Sequence, residues 1–165
     1  MIQTTIKEHM KFITFIILVQ TIFFAIFLTM AKANESAEFI KDNLCEKFTG
    51  VFYWDNSNRP QYVNAYVKNI RIDNNLVIIE GNGDYVSASG VTFIKFQWWI
   101  NSIDYHIKIQ ESQPTRASFE TDGFYEGEIS NNLIKINTIW ETRLTGRTGT
   151  LELNADKSCK PLTLS

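Results

Sequence analysis

Over much of the stretch 61–154 the apolar residues of this 165-residue chain recur at every second position, and that period decides the fold class. The run "IDYHIKIQ" sets Ile103, Tyr105, Ile107 and Ile109 on one face, against Asp104, His106, Lys108 and Gln110. "LIKINTIWE" opposes Ile134, Ile136 and Trp140 to Lys135, Asn137 and Glu141. "TFIKFQWWI" opposes Ile94, Phe96, Trp98 and Ile100 to Phe93, Lys95, Gln97 and Trp99. Successive strand side chains point to opposite faces, so this alternation marks half-buried antiparallel strands. Turn signals separate them: Asp73-Asn74-Asn75, Asn101-Ser102, Asp122-Gly123, Asn131-Asn132 and a loop at 145–149.

Strands are expected near 50–54, 61–71, 76–86, 91–100, 103–111, 117–121, 124–129, 133–141 and 148–154. Eight or nine strands joined by short turns make an antiparallel up-and-down meander in a mainly β chain. Closure into a barrel removes the two unpaired edges of such a meander. An open curved sheet or a sandwich is the alternative. No repeat and no linker divides the segment, so a single domain is expected.

One helix is expected before the strands. In "SAEFIKDNLCEKF", residues 36–48, Ile40, Leu44 and Phe48 recur at i, i+4 and i+8. Ser36 is placed to cap it, and Glu38 suits the positive end of the helix dipole. Cys45 lies beside the apolar stripe, and the second cysteine, Cys159, stands near the other end of the chain. An even count in an exported chain fits a disulfide between them, the alternative being two buried thiols.

Export is read from the N-terminus. Between Lys11 and Lys32 there is no charge, and residues 12–30 are mostly Ile, Phe and Leu. The 19-residue run exceeds the usual signal-peptide core and just reaches the length of a spanning helix. Lys11 supplies a positive start and Ala31-Lys32-Ala33 a small-residue cleavage site, so residues 1–33 read as a cleaved signal, with Met10 an alternative start. The other reading is an uncleaved anchor, the only one that involves a membrane. Either way the domain, 34–165, is expected outside the cytoplasm, secreted or periplasmic.

Removal of 1–33 takes three of the 16 Lys and Arg and one of the 18 Asp and Glu, leaving 13 against 17. This net charge of −4 comes with no basic run, which argues against nucleic acid as a partner. With no C-x-x-C and one histidine in that part, no zinc ligand set and no cofactor are expected.

At "EKFTGVFYWD" a short helix runs into Gly50-x-Phe52-Tyr53, which resembles the first-strand motif of the lipocalins, a Gly-x-Trp at the start of the barrel. Phe52 stands at the Trp position, with Trp54 two residues on, and Arg143 or Arg147 resembles the basic residue that packs over that Trp. Thr121-Asp122 matches part of the family's mid-chain Thr-Asp-Tyr, whereas Pro161 and a polar tail replace the family's C-terminal helix. The resemblance, about ten residues long, implies a calycin-type barrel with a ligand-sized interior. Avidin-like barrels and small barrel protease inhibitors are similar to the chain to the same degree.

Catalytic patterns are thin. His106 and Asp104 share a strand face, but Lys108 and Gln110 mark it as the solvent side. Glu126 and Glu128 lie two apart on one strand, a carboxylate pair without a burial signal. "EGNGDY", 80–85, lacks the ligand spacing of a calcium loop and reads as a turn or bulge. Asn34-Glu35-Ser36 is a glycosylation sequon. No catalysis is expected.

Aromatic residues carry the remaining signal. Phe96, Trp98, Tyr105, Tyr125 and Trp140 fall on the inward face, with Gly127 and Thr138 as small neighbours. They either fill the lumen or line a site for a small apolar ligand. Phe93 and Trp99 fall on the opposite face, where an exposed aromatic pair suits a protein partner. The expected function is an exported small-ligand-binding barrel; the alternative is a barrel-type interaction module such as an inhibitor.

Overall fold

The alternation is realised in eight strands, given by a computed structural model that describes residues 2–57 and 59–159, with side chains from Thr14 onward. They are β1 (Lys47–Trp54), β2 (Gln61–Asp73), β3 (Leu76–Ser87), β4 (Gly90–Asn101), β5 (His106–Ser112), β6 (Phe124–Ile129), β7 (Lys135–Glu141) and β8 (Thr148–Ala155). Each pairs antiparallel with the next, and β8 pairs back onto β1, from Phe48↔Ala155 to Trp54↔Gly149. The sheet is a closed up-and-down barrel, so no edge strand is left to pair with another chain.

Inward positions follow the two-residue period. On β4 they are Thr92, Ile94, Phe96, Trp98 and Ile100, all buried; on β8, Leu151 and Leu153. Two glycines make room for the aromatic filling. A Cβ on Gly81 would lie 2.3 Å from the Phe96 ring, and one on Gly149 would lie 2.4 Å from the Phe52 ring. Phe96 thereby stacks on Trp98 at 4.7 Å, and Trp98 meets Phe48 edge-on at 5.5 Å. Residual space in this lower lumen, among Val63, Ala65, Ile94, Phe96 and Trp98, amounts to about 10 Å³, so it is packed core.

One helix, α1 (Ile2–Asn43), precedes the barrel. The helix expected over 36–48 is thus the end of a longer one, and Ser36 sits within it rather than capping it. Ala37, Ile40 and Leu44 are fully buried and plug one end of the barrel. Phe48 is buried at the same end but belongs to β1, because the chain leaves the helix and starts sheet pairing with Val67 N–H donating to Glu46 O. Ser102 Oγ donates to Ala33 O at 3.0 Å, tying the helix to the β4–β5 turn. Cys45 and Cys159 form a disulfide beside the plug. Upstream, α1 is long and apolar enough to cross a membrane, and none of that apolar window is buried.

Two expectations about strands need amendment. Residues 117–121 form turns, not a strand: Gln113 takes φ 51°, Pro114 follows, and Phe119 N–H closes a turn onto Arg116 O. Strand β5 begins at His106 instead of 103, because Tyr105 adopts φ 59° in the turn and Ile103 is thrown outward, 62% exposed. "EGNGDY" is ordinary strand β3, opposite a bulge in β2 between Val67 and Asn69. Lys160 and the residues after it, including Pro161, lie outside the described residues.

Candidate functional site

Connections alternate between the two ends of the barrel. The plug closes one end; the β1–β2, β3–β4, β5–β6 and β7–β8 connections ring the other. That second end is an open mouth holding a cavity of about 210 Å³.

Its wall is aromatic. Phe52 and Trp54, two apart on β1, pack edge-on at 5.1 Å, and Trp54 meets Trp140 of β7 at 4.9 Å. Phe119 turns in from the β5–β6 connection and lies 4.9 Å from Tyr85 of β3. The failed strand at 117–121 is therefore what supplies one wall.

The rim is cationic. Arg147 lies 4.0 Å over the Trp54 ring and pairs with Glu120 at 2.8 Å. Arg116 donates to Ser89 O at 2.6 Å and Ser89 Oγ at 3.1 Å, and pairs with no acid among the described residues. Of the two arginines compared with the lipocalin basic residue, Arg147 packs on Trp54, not on Phe52. Arg143 lies outside the barrel, 4.2 Å over Phe124.

The floor is a buried polar cluster that joins Tyr125, expected at an inward position, to Tyr85 and Glu111, which were not among the expected site residues. Tyr85 and Tyr125 line the cavity, and beneath them lies Glu111 of β5. Tyr85 Oη hydrogen-bonds Glu111 Oε1 at 2.5 Å and Tyr125 Oη at 2.8 Å. Glu111 Oε2 is buried with no partner. Burial pushes the Glu111 carboxyl up to about 7, against the opposing pull of the neighbouring Tyr85 and Tyr125 hydroxyls. Burial, reinforced by the Glu111 charge, also holds both tyrosines well above their usual range, so they stay neutral hydroxyls. The signal was present in "HIKIQES": Glu111 continues the inward parity of Ile107 and Ile109. A carboxylate at an inward position is costly unless it is hydrogen-bonded or protonated, and such groups cluster at functional sites.

The structure separates the five inward aromatics. Tyr125 and Trp140 line the mouth cavity; Phe96 and Trp98 belong to the packed lower lumen; Tyr105, half-buried, stands at the plugged end. On the outer surface Phe93 is 58% exposed. Trp99, half-buried, lines an open outer groove with Leu76, His106, Lys108 and Phe124. Thr138 is a buried inward residue of β7 with its hydroxyl unpartnered, and Gly127 lets β6 approach β7 closely, its missing Cβ falling 2.1 Å from Asn137 O.

The weaker catalytic patterns do not assemble. Asp104 Oδ1 accepts from the His106 backbone N–H, a turn contact that leaves the imidazole uninvolved. Glu126 and Glu128 face solvent, and Lys108, bonded to Glu126 at 2.8 Å, lowers its carboxyl. Among the described residues no three His, Cys, Asp or Glu side chains are grouped to hold a metal ion. The chain is an eight-stranded closed meander compatible with a calycin-like fold, and neither a family model nor a curated protein matches its sequence.

Proposed function

We propose that this protein is an exported barrel that binds one compact small molecule in its open mouth. The cavity carries the reading, because it joins an aromatic wall to an arginine with no acidic partner among the described residues. At about 210 Å³ it lies below the roughly 300–1,000 Å³ of drug-sized sites, which suits a ligand of one or two rings. The apolar body of that ligand lies against Phe52, Trp54, Phe119 and Trp140, and its polar edge meets the rim. Trp98 and Phe96 act as the packed base beneath the site. Export is supported by the Cys45–Cys159 bridge and by the apolar segment that precedes the domain.

Tryptophan emission reads the site directly, since Trp54 and Trp140 line it. Titration with a panel of one- and two-ring compounds is expected to quench or shift the emission saturably. Trp140→Ala is expected to weaken that response, and Phe93→Ala, on the outside, to leave it unchanged. A flat response across the panel rejects this reading in favour of an interaction module that presents Phe93 and the Trp99 groove to a protein partner.

A further inference from the structure

The mouth has a floor whose hydrogen-bonding sense depends on one proton. We propose that Glu111, without touching the ligand, sets whether the cavity floor offers the ligand a hydrogen-bond donor or an acceptor, and so selects ligand chemistry by pH. This rests on the mouth being a ligand site. It adds the class of ligand and the residue that determines it.

Three oxygens in series make the device: Glu111 Oε1, Tyr85 Oη 2.5 Å away, and Tyr125 Oη a further 2.8 Å on. When Glu111 is a carboxylate it can only accept. Tyr85 then donates to Oε1, and the Tyr125 proton points inward to satisfy Tyr85. The outward lone pair of Tyr125 is left to the cavity as an acceptor. When Glu111 is protonated on Oε1, its O–H donates to Tyr85, Tyr85 donates to Tyr125, and the Tyr125 proton turns toward the cavity as a donor. No proton crosses between the tyrosines; two hydroxyls rotate.

Protonation on Oε2 would leave the chain unreversed. That atom is buried without a partner, so a proton there would be an unsatisfied buried donor. A proton on Oε1 is hydrogen-bonded at once, which makes it the favoured site. Both tyrosines stay neutral because burial holds their hydroxyls well above the usual range. The carboxyl, raised to about 7, changes state near neutrality.

The surroundings leave the chain isolated from other charges. Tyr85 from β3 and Tyr125 from β6 are the titratable groups that act on Glu111. Its other neighbours around the small void are uncharged: Asn64 of β2, Phe96 of β4, and Leu151 and Leu153 of β8. Arg116, Glu120 and Arg147 stand at the rim, and none contributes to its shift. Below neutrality the floor therefore takes a ligand with a carbonyl or carboxylate oxygen; above it, one with an N–H or O–H.

Two neutral one- and two-ring probes isolate the effect. Acetophenone has only an acceptor and indole only a donor, and neither titrates between pH 5.5 and 8.5. Dissociation constants of both would be measured by NMR titration at the two pH values. Acetophenone is expected to bind about tenfold more tightly at pH 5.5, and indole about tenfold more tightly at 8.5, the scale of one mismatched buried hydrogen bond. Glu111→Gln and Tyr125→Phe are each expected to flatten both profiles. In parallel, the ¹³Cζ shifts of Tyr85 and Tyr125 should step together with the Glu111 carboxyl in the wild type and lose the step in Glu111→Gln. Parallel or flat profiles for two probes that do bind would overturn the switch and leave the ligand site standing. Failure of both probes to bind at either pH would overturn the site and, with it, the ligand selection. Tyrosine shifts that ignore the carboxyl titration would overturn the relay whatever the probes do.

Discussion

At the scale of single residues, the barrel shows how a carboxylate is kept inside a β core. Glu111 makes one short bond to Tyr85 and leaves Oε2 unpartnered, so its charged form is held at a cost. The cost appears as a carboxyl raised from 4.5 to about 7. In that window the folded chain holds a proton that the unfolded chain has released, so stability falls as pH rises. The stabilising contribution is complete below about 4.5 and gone above about 7. Its size is about 3 kcal/mol. The difference between wild type and Glu111→Gln is the quantity to follow, because it cancels what the two chains share. Denaturant midpoints from pH 4.5 to 8 are expected to show the wild type losing stability relative to Glu111→Gln by that amount. A constant difference across the range would mean that Glu111 is ionised throughout. This residue was legible in the parity of "HIKIQES", but its bond to Tyr85, and that of Tyr85 to Tyr125, were not. Those partners come from β3 and β6, and no sequence period relates them.

At the scale of elements, strands such as β4, β5 and β7 were legible because they alternate over enough residues to show which face is buried, and β6 falls at the residues expected of it, 124–129. The segment 117–121 also alternates, Ala117, Phe119 and Thr121, but over too short a run to hold a strand after Gln113 and Pro114. Its aromatic residue folds over the mouth instead, and a wall of the site was thereby misread as sheet. The helix stripe was legible through Ile40 and Leu44 and overextended to Phe48, because a single apolar residue four further on fits both a helix and the start of β1. The buried side chains of the plug, Ala37, Ile40 and Leu44, all follow Ala33, and the Ser102 bond to Ala33 O is the contact a cut there removes. A chain beginning at Asn34 is therefore expected to keep the barrel, with a cooperative melting transition and the near-ultraviolet signature of fixed aromatic side chains. N-terminal sequencing of that exported protein is expected to start at or near Asn34; intact residues 12–30 would identify α1 as an anchor. Within the plug, Ile40→Ala is expected to cost about 2–5 kcal/mol in a denaturation midpoint, as a fully buried methyl-rich side chain lost from a packed end. A loss under 1 kcal/mol would mean that the helix merely rests on the barrel.

At the scale of the whole molecule, seven of the eight strand pairs join neighbours in the sequence, and one, β1 with β8, closes the ring. That pair alone must overcome the loop-closure entropy of nearly the entire domain. The ends are held by more than the ladder. Asp156 N–H donates to Lys47 O at 3.0 Å, Lys47 lies 3.6 Å from Asp156, and Cys45 is bonded to Cys159, 114 residues away in sequence. The bond sits where the closing strands meet the plug, so it limits the unfolded chain in the one coordinate that barrel closure requires. A chain-entropy model gives about 4.7 kcal/mol for a loop near 100 residues, an upper figure for this bridge. Cys45→Ser in protein from an oxidising compartment is expected to lower the denaturant midpoint by several kcal/mol equivalent and to slow refolding, with the β1–β8 contacts forming last. The surface ion pair between Lys47 and Asp156 does not replace the bridge, since solvent screens an exposed pair and leaves it little weight. If Cys45→Ser refolds at the wild-type rate with an unchanged midpoint, closure is driven by the ladder and the plug. The disulfide would then be a consequence of an oxidising compartment rather than a determinant of the fold.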